Sequence, residues 1–265
     1  MDLVLSTFSG AGLLDQGFEQ AGFCVVSAGD ILWGRDVRDF QPASHVFQGV
    51  IGGPPCQDFS KARRCPPTGY GLKMLAEFCR VVTTASPDWF LSENVPGVPD
   101  IQIPGYRVQR LNLNASECGL PQNRLRCFQF GSRDGVGLVI PRFAAPDKVM
   151  RCALASEGRK STRRTFADFC ELQGLPRDFS LPGLSQSLRY QLVGNGVPVP
   201  VARVVATAIA RRHVTCHVRV CACGCGRPVH PGQTRATPAC RKRIQRRRDA
   251  IAVTRPGLIT PAASK

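Results

Sequence analysis

The first 133 residues alternate short apolar runs with stretches of helical spacing. Residues 3–8 are strand-like and turn at Ser9-Gly10-Ala11-Gly12. Leu13, Leu14, Gly17, Phe18 and Ala21 then recur on one helix face, and Gly22 stops that helix. Residues 23–28 read as a second strand. Residues 47–51 read as a buried third, ending at Gly52-Gly53-Pro54-Pro55. A helix over 72–85 precedes another buried strand at 89–92, and 106–113 and 126–131 form two less hydrophobic strands. Strands alternating with helices predict an α/β domain on a mostly parallel sheet. Residues 134–163, with Gly, Pro and basic side chains and weak periodicity, read as loops. Helical spacing returns at 165–172 and at 199–211, and no internal repeat is visible.

Composition narrows this picture. The 265 residues are 43% hydrophobic, which suits one large domain with a small appendage and excludes wholesale disorder. No run approaches the ~18 uncharged apolar residues that a membrane helix needs. The first residues, Met1-Asp2-Leu3-Val4, lack the basic lead of a secretory signal, so a cytoplasmic chain with reduced thiols is expected. Lys and Arg number 35 against 19 acids, a net +16, which makes a polyanion the first partner to consider. The excess is uneven. From Cys216 onward there are 11 basic residues and one acid, Asp249, so this tail carries +10 and the rest +6. Of 13 cysteines, nine are scattered from Cys24 to Cys216, and Cys221, Cys223, Cys225 and Cys240 are crowded together.

Candidate chemistry gathers at the predicted strand ends. The Gly10–Gly12 turn lets backbone approach a ligand at a helix N-terminus, although a plain strand–helix turn would look the same. Asp30 follows the second strand, where a carboxylate can accept bonds from ribose hydroxyls, and Asp36 comes soon after. Cys56 follows a buried strand and two stiffening prolines, at the sheet edge where open α/β folds bind ligands. A nucleophilic thiol needs a nearby cation or dipole, and Arg63 and Arg64 are close in sequence. Glu93 ends the next buried strand, at the same edge. Arg124 and Arg126 flank Leu125, so on a strand both would face one side.

Together these residues resemble the DNA cytosine-5 methyltransferase family. Phe8-Ser9-Gly10-Ala11-Gly12 resembles its S-adenosylmethionine loop, Pro54-Pro55-Cys56-Gln57 its nucleophile motif and Glu93-Asn94-Val95 its glutamate motif. Gln122-Asn123-Arg124-Leu125-Arg126 resembles its paired-arginine motif. Leu172-Gln173-Gly174-Leu175-Pro176 and Gly194-Asn195-Gly196-Val197-Pro198 resemble its two late motifs. The resemblance implies a Rossmann-like S-adenosylmethionine-dependent sheet and methyl transfer to C5 of a flipped cytosine. It implies Cys56 as the nucleophile at C6, Glu93 on the N3/N4 edge, Arg126 on O2, and Arg124 fixing the nucleophile loop and base. It further implies Phe8, Gly10, Gly12 and Pro54 around the methyl donor. Asp30 would take the ribose and Asp36 the adenine amino group, with Asn195 and Val197 closing the pocket. Duplex DNA is the implied partner, a monomer the implied state, and a cognate restriction endonuclease a further partner.

Four departures from the family pattern bear on this. Ser6 and Thr7 stand where an Asp usually precedes the loop, and Leu13 where a further glycine usually follows Gly12. The stretch from Asp30 to Asp36 is short, so a helix of the sheet is expected to be missing. The reading region shrinks to 134–163, where Arg142, Lys148, Arg151, Arg159, Lys160 and Arg163 remain to clamp phosphate.

The expected organisation is a catalytic domain over 1–133, the reduced recognition region over 134–163, and late motifs packing back over 164–213. A basic cysteine module over 214–250 and a disordered tail over 251–265 complete it. Cys221, Cys223, Cys225 and Cys240 offer zinc a tetrahedral set of thiolates, a small knuckle launching the basic segment after Cys240. Cys216, His217 or His230 could replace one ligand, and a basic tail that binds no metal is the alternative. For function, an RNA cytosine-5 methyltransferase and a non-enzymatic zinc-dependent DNA-binding protein remain alternatives. The intact Cys56, Glu93 and Arg126 argue against the second.

Overall fold

A computed structural model describes residues 1–60, 63, 65–213, 221–223, 229, 234 and 237–253. Six strands form the main sheet: β1 (Leu3–Thr7), β2 (Cys24–Ser27), β3 (Gly49–Gly52), β4 (Trp89–Asn94), β5 (Arg107–Asn114) and β7 (Leu125–Ser132). A two-residue strand β6 (Gln122–Asn123) pairs separately with β8 (Met150–Arg151). The helices are α1 (Leu13–Glu19), α2 (Tyr70–Ala85), α3 (Phe166–Leu172), α4 (Gln186–Asn195), α5 (Val199–Ala210) and α6 (Pro238–Val253). Strand order is β2-β1-β3-β4-β7-β5. The first four strands are mutually parallel; β7 runs antiparallel to both β4 and β5.

The central strands are buried on both faces because they alternate between two apolar clusters, while edge strand β2 is largely exposed. Val4, Ile51, Trp89, Leu91, Phe128 and Phe130 point to the side covered by α1 and α5. Their neighbours Leu5, Val50, Phe90 and Cys127 point to the side covered by α2, which supplies Leu75, Phe78, Val81 and Val82. Large rings need room in so dense a sheet, and glycines opposite them provide it. Gly49 is the register partner of Trp89, and Gly131 that of Phe90. A Cβ on either would lie within 2.2 Å of the facing ring.

Between β2 and β3 the described chain makes only two single 3-10 turns, Ile31–Trp33 and Val37–Asp39, so the sheet lacks a helix there as expected. The late helices return to the sheet. Gly17 of α1 sits directly on Ala202 of α5, and α3 and α4 pack Phe169, Leu172, Tyr190 and Val193 around Leu13. Among the described residues, the apolar stretch Gln186–Ala210 is the one membrane-length segment by composition. It is two helices, broken at Gly196-Val197-Pro198. The longer has 12 residues, or about 18 Å at ~1.5 Å per residue, short of a ~30 Å bilayer core.

Helix α6 runs to Val253, three residues past the bound expected for the cysteine module. Cys225, Cys216, His217, His230 and the expected tail from 254 lie outside the described residues.

Gly17→Ala tests the α1–α5 contact, because the new Cβ would lie 2.3 Å from Ala202 Cβ and 2.7 Å from the Arg203 nitrogen. The expected outcome is a loss of about 1–3 kcal/mol, read as a lower urea midpoint with unchanged slope.

Candidate active site

The parallel strands deliver their carboxyl ends to one edge, and a cavity of about 410 Å³ opens there. Phe8, Gly10, Asp30, Asp36, Pro54, Cys56, Glu93, Arg126, Asn195 and Val197 all line it. Gly12 and Arg124 do not.

The Gly-rich turn is built for backbone approach. Phe8 and Gly10 both have φ of 55°, and Gly12 has φ 74° as the residue preceding α1. For a bulky side chain such as Phe8 the left-handed region is strained, and such residues concentrate where a loop must be held for a ligand. The Gly10 N–H donates to Asp30 Oδ2 at 3.2 Å, and Trp33 Nε1 donates to the Gly10 carbonyl at 2.8 Å. Ser6 Oγ donates to buried Asp15 at 2.5 Å, and Ser9 meets Ser6 at 3.1 Å and Ser27 at 2.7 Å. Burial pushes the Asp15 carboxyl up, against the pull of these hydroxyls.

Asp30 and Asp36 cap the two 3-10 turns, accepting from the Leu32 and Arg38 nitrogens. Arg38 also grips both Asp36 oxygens and holds that carboxyl down at about 2. Asp36 therefore faces the cavity as a fixed carboxylate, with only its remaining lone pairs for a ligand.

The loop that carries Cys56 follows β3. Asn94 Nδ2 donates to the Pro54 carbonyl at 2.9 Å and so ties this loop to the end of β4. Beyond Cys56, Asp58 accepts from the Thr68 and Gly71 nitrogens at 2.9 and 2.8 Å, anchoring the loop to the start of α2. Cys56 is largely covered. Burial pushes its thiol up, Glu93 adds to the shift, and Arg126 and Arg124 oppose it. The resting group is the thiol.

Glu93 is buried, and its Oε1 lies 3.2 Å from Arg126 Nε without a hydrogen bond. Burial pushes its carboxyl up and outweighs Arg126 and Arg124. The proximity of Arg126 points the other way, but the pair is not aligned as a hydrogen bond and Arg126 spends Nη1 on the Leu125 carbonyl at 2.9 Å. Arg126 reaches this edge because β7 is antiparallel. Its register partners Glu93↔Phe128 and Asn94↔Cys127 bring the start of β7 to the end of β4.

Arg124 departs from the alternation expected of it. It falls in the break between β6 and β7, so it does not share a strand face with Arg126. Its buried guanidinium donates to the carbonyls of Gly194 and Gly196 at 2.9 Å each and of Ala153 at 3.0 Å. It holds the segment that carries Asn195 and Val197 against the sheet, from behind the cavity. Gln122 and Gln173 extend this network. Gln122 Nε2 donates to the Leu172 carbonyl at 2.7 Å, and Gln173 Nε2 to the Val193 carbonyl at 2.6 Å.

A family model for the C-5 cytosine-specific DNA methylase matches residues 33–150 and 149–211. The chain belongs to this family. It is 32% identical over 176 residues to a Type II methyltransferase, M.FnuDI, of Fusobacterium nucleatum, covering 54% of this chain and 50% of that protein. It is 33% identical over 165 residues to M.MthTI of Methanothermobacter thermautotrophicus, covering 51% and 50%. The chain thus spans about half the length of the curated relatives it matches. The methyltransferase EhMeth of Entamoeba histolytica shares the fold, with a TM-score of 0.59 at 14% identity over 77% of this chain and 96% of that one.

Asp15, Trp33, Asn94, Asp58 and Gln173 shape this methylase-family site without having been singled out by role in the sequence. Asn94 and Gln173 lie inside recognisable motifs, which was the available signal. Asp15 and Trp33 carry none, because their partners are backbone and hydroxyl groups set by the turn.

The metal candidates lie apart from the cavity. The Sγ atoms of Cys221, Cys223 and Cys240 lie within 4.8 Å of one another, and all three residues are buried. Burial would raise the Cys240 thiol, but hydrogen bonds from Thr237, Cys223 and Cys221 bring it down to about 6.

Two outcomes are expected. Peptide-resolved alkylation of Cys56 should show a pH midpoint above the ordinary thiol value of 9, and Glu93→Gln should move it down by removing a like charge. Arg124→Met should cost about 3 kcal/mol or more in chemical denaturation, because several buried carbonyls lose their donor together.

Proposed function

We propose that this chain transfers a methyl group from S-adenosylmethionine to C5 of cytosine in duplex DNA. The observation that carries this is the convergence of Cys56, Glu93 and Arg126 on one cavity whose far side is the Gly10–Asp30 turn. The cavity volume falls within the ~300–1,000 Å³ of small-molecule sites, and two carboxylates stand ready for hydroxyl and amino groups. The buried, unbonded Glu93 oxygen fits a base edge that supplies its missing partner.

The methyl donor, when bound, supplies an electrophilic methyl on a sulfonium. The chain's residues make C5 nucleophilic. Cys56 gives its proton to solvent and its sulfur bonds to C6. Glu93, whose carboxyl burial pushes up, gives a proton to N3, and the C5–C6 π pair moves to C5. C5 then takes the methyl group and leaves the demethylated donor as the thioether. The C5 proton passes to solvent, its C–H pair re-forms the C5–C6 double bond, the C6–S pair returns to sulfur as the Cys56 thiolate, and N3 returns its proton to Glu93. Arg126 holds the O2 edge. C6 is covered in a stacked duplex, so the cytosine is flipped into the cavity. Asp30 holds the donor's ribose, Asp36 its adenine amino group, and the Phe8–Gly12 turn its methionine end. The cysteine cluster beside α6 is read as a structural zinc site.

The test is transfer of labelled methyl to duplex DNA, with tRNA as a parallel substrate. Label is expected on cytosine C5 of DNA, at background in Cys56→Ser and about 10²–10⁴-fold slower in Glu93→Gln. Label on tRNA alone would overturn the choice of substrate, and label surviving in Cys56→Ser would overturn the mechanism.

A further inference from the structure

The cysteine cluster has a geometry its small size does not explain. Cys221 and Cys223 place their sulfurs 3.5 Å apart, well beyond the ~2.05 Å of a disulfide. Zinc–sulfur bonds of ~2.3 Å at tetrahedral angles would set sulfurs about 3.8 Å apart, close to the spread seen here. Around the three sulfurs the described apolar residues are Val229 and Ile244. So small a core needs a metal or covalent staple to hold together. Arg243 Nη1 reaches Cys223 Sγ at 3.8 Å, and Thr237 Oγ1 lies 3.1 Å from Cys240 Sγ, the outer partners a thiolate ligand set uses.

What the cluster holds is the start of α6. Cys240 is in its first turn, and Ile244, one turn on, faces the same small core. The sequence from Cys240 to Asp249 carries six basic residues and a single acid. Arg241, Lys242 and Arg246 are exposed, and among the described residues no carboxylate pairs with them. Like charges this dense repel along a helix, so α6 needs an anchor at one end and a counter-charge along its side. Six charges over eight residues span about 12 Å, a density suited to the closely spaced phosphates of duplex DNA. By contrast, Arg142 of the reduced recognition region is already paired with Glu117.

We propose that Cys221, Cys223 and Cys240 bind a zinc ion that fixes α6 as a basic helix docking on the DNA phosphate backbone. The ion anchors the first turn and the phosphates neutralise the exposed face. Base-independent affinity thus comes from α6 and the chemistry from the pocket. This rests on duplex DNA as the substrate, as read above.

The full chain, purified without chelator, is expected to carry about one zinc per chain, lost in Cys240→Ser. Replacing the metal with cobalt(II) should give the intense thiolate charge-transfer and tetrahedral d–d bands, a readout that does not need a folded variant. A triple variant, Arg241→Gln, Lys242→Gln and Arg246→Gln, should keep its zinc but lower the slope of log K against log salt by about 2–3, equally on unrelated duplexes. Metal-free protein that gives no cobalt(II) bands, or a cluster oxidised to disulfide, would overturn the metal site. An unchanged salt slope in the zinc-loaded triple variant would overturn the docking role. Wild-type methyl transfer is measured on the same DNA. Normal transfer with an unchanged slope defeats the helix alone. Tight, salt-sensitive binding without transfer defeats the activity alone.

Discussion

One buried guanidinium ties the late helices to the sheet. Arg124 lies between β6 and β7 and spends its donors on carbonyls of the Gly194–Gly196 segment and of Ala153. Buried carbonyls must be paired, and those of this segment cannot pair within α4 because they belong to its last residues and the break that follows. A single planar fork that satisfies several acceptors fixes the break in one geometry. Asn195 and Val197 line the cavity only because of that fixation. Gln122 and Gln173 add the lateral bonds, so the polar network and the pocket wall are the same structure seen from two sides.

The pocket itself is held at a cost to the empty protein. Glu93 and Cys56 are both pushed toward their neutral forms by burial, and each charge would disfavour the other. For Glu93 the sign is clear. A carboxyl raised above its ordinary 4.5 binds its proton more tightly folded than unfolded, so the folded state is penalised as pH rises through that window. The Cys56 penalty appears only above the ordinary thiol value of 9. At neutral pH the thiol is therefore harmless to stability and inert toward adventitious electrophiles. In the proposed reaction, a bound base that takes the Glu93 proton changes this balance, because Glu93 then faces a cationic ring and the emerging thiolate is drawn to C6. On that reading the arrangement keeps reactivity conditional on the substrate.

Much of this was legible in the sequence, for a definite reason. Runs such as Val4-Leu5 and Trp89-Phe90-Leu91 are apolar on both faces, which only a doubly covered sheet requires, and a parallel sheet fixes where loop chemistry must gather. Cys56, Glu93 and Asp30 follow from that rule alone. What failed was local. The alternation of Arg124 and Arg126 around Leu125 implies one strand face, but the strand is interrupted between them, and no periodicity reports an interruption of one residue. Helix α4 has weak periodicity because Gln186–Asn195 is mostly polar on the side away from Tyr190 and Val193; its Ser185 cap is the available signal. The tertiary network of Gln122 and Gln173 spans about fifty residues, beyond the reach of any window.

The distribution of charge follows from the same economy of length. Within and beside residues 134–163, Arg142 and Arg164 are committed to Glu117 and Glu157. The chain before Cys216 carries +6, and its buried arginines serve carbonyls and the pocket rather than solvent. The remaining +10 lies from Cys216 onward, in a stretch whose apolar residues are small or aliphatic and include no Phe, Tyr, Trp or Met to build a large core. Charge of that density cannot stabilise a compact fold; it can only be tolerated where something else supplies order and a polyanion supplies neutralisation. In the metal reading proposed above, Cys221, Cys223 and Cys240 supply the first, beside the first turn of α6. The separation would have a mechanical advantage. With phosphate grip and base chemistry in different parts of the chain, as proposed, the pocket can keep Glu93 and Cys56 in a low-polarity setting that a field of surface arginines would otherwise perturb.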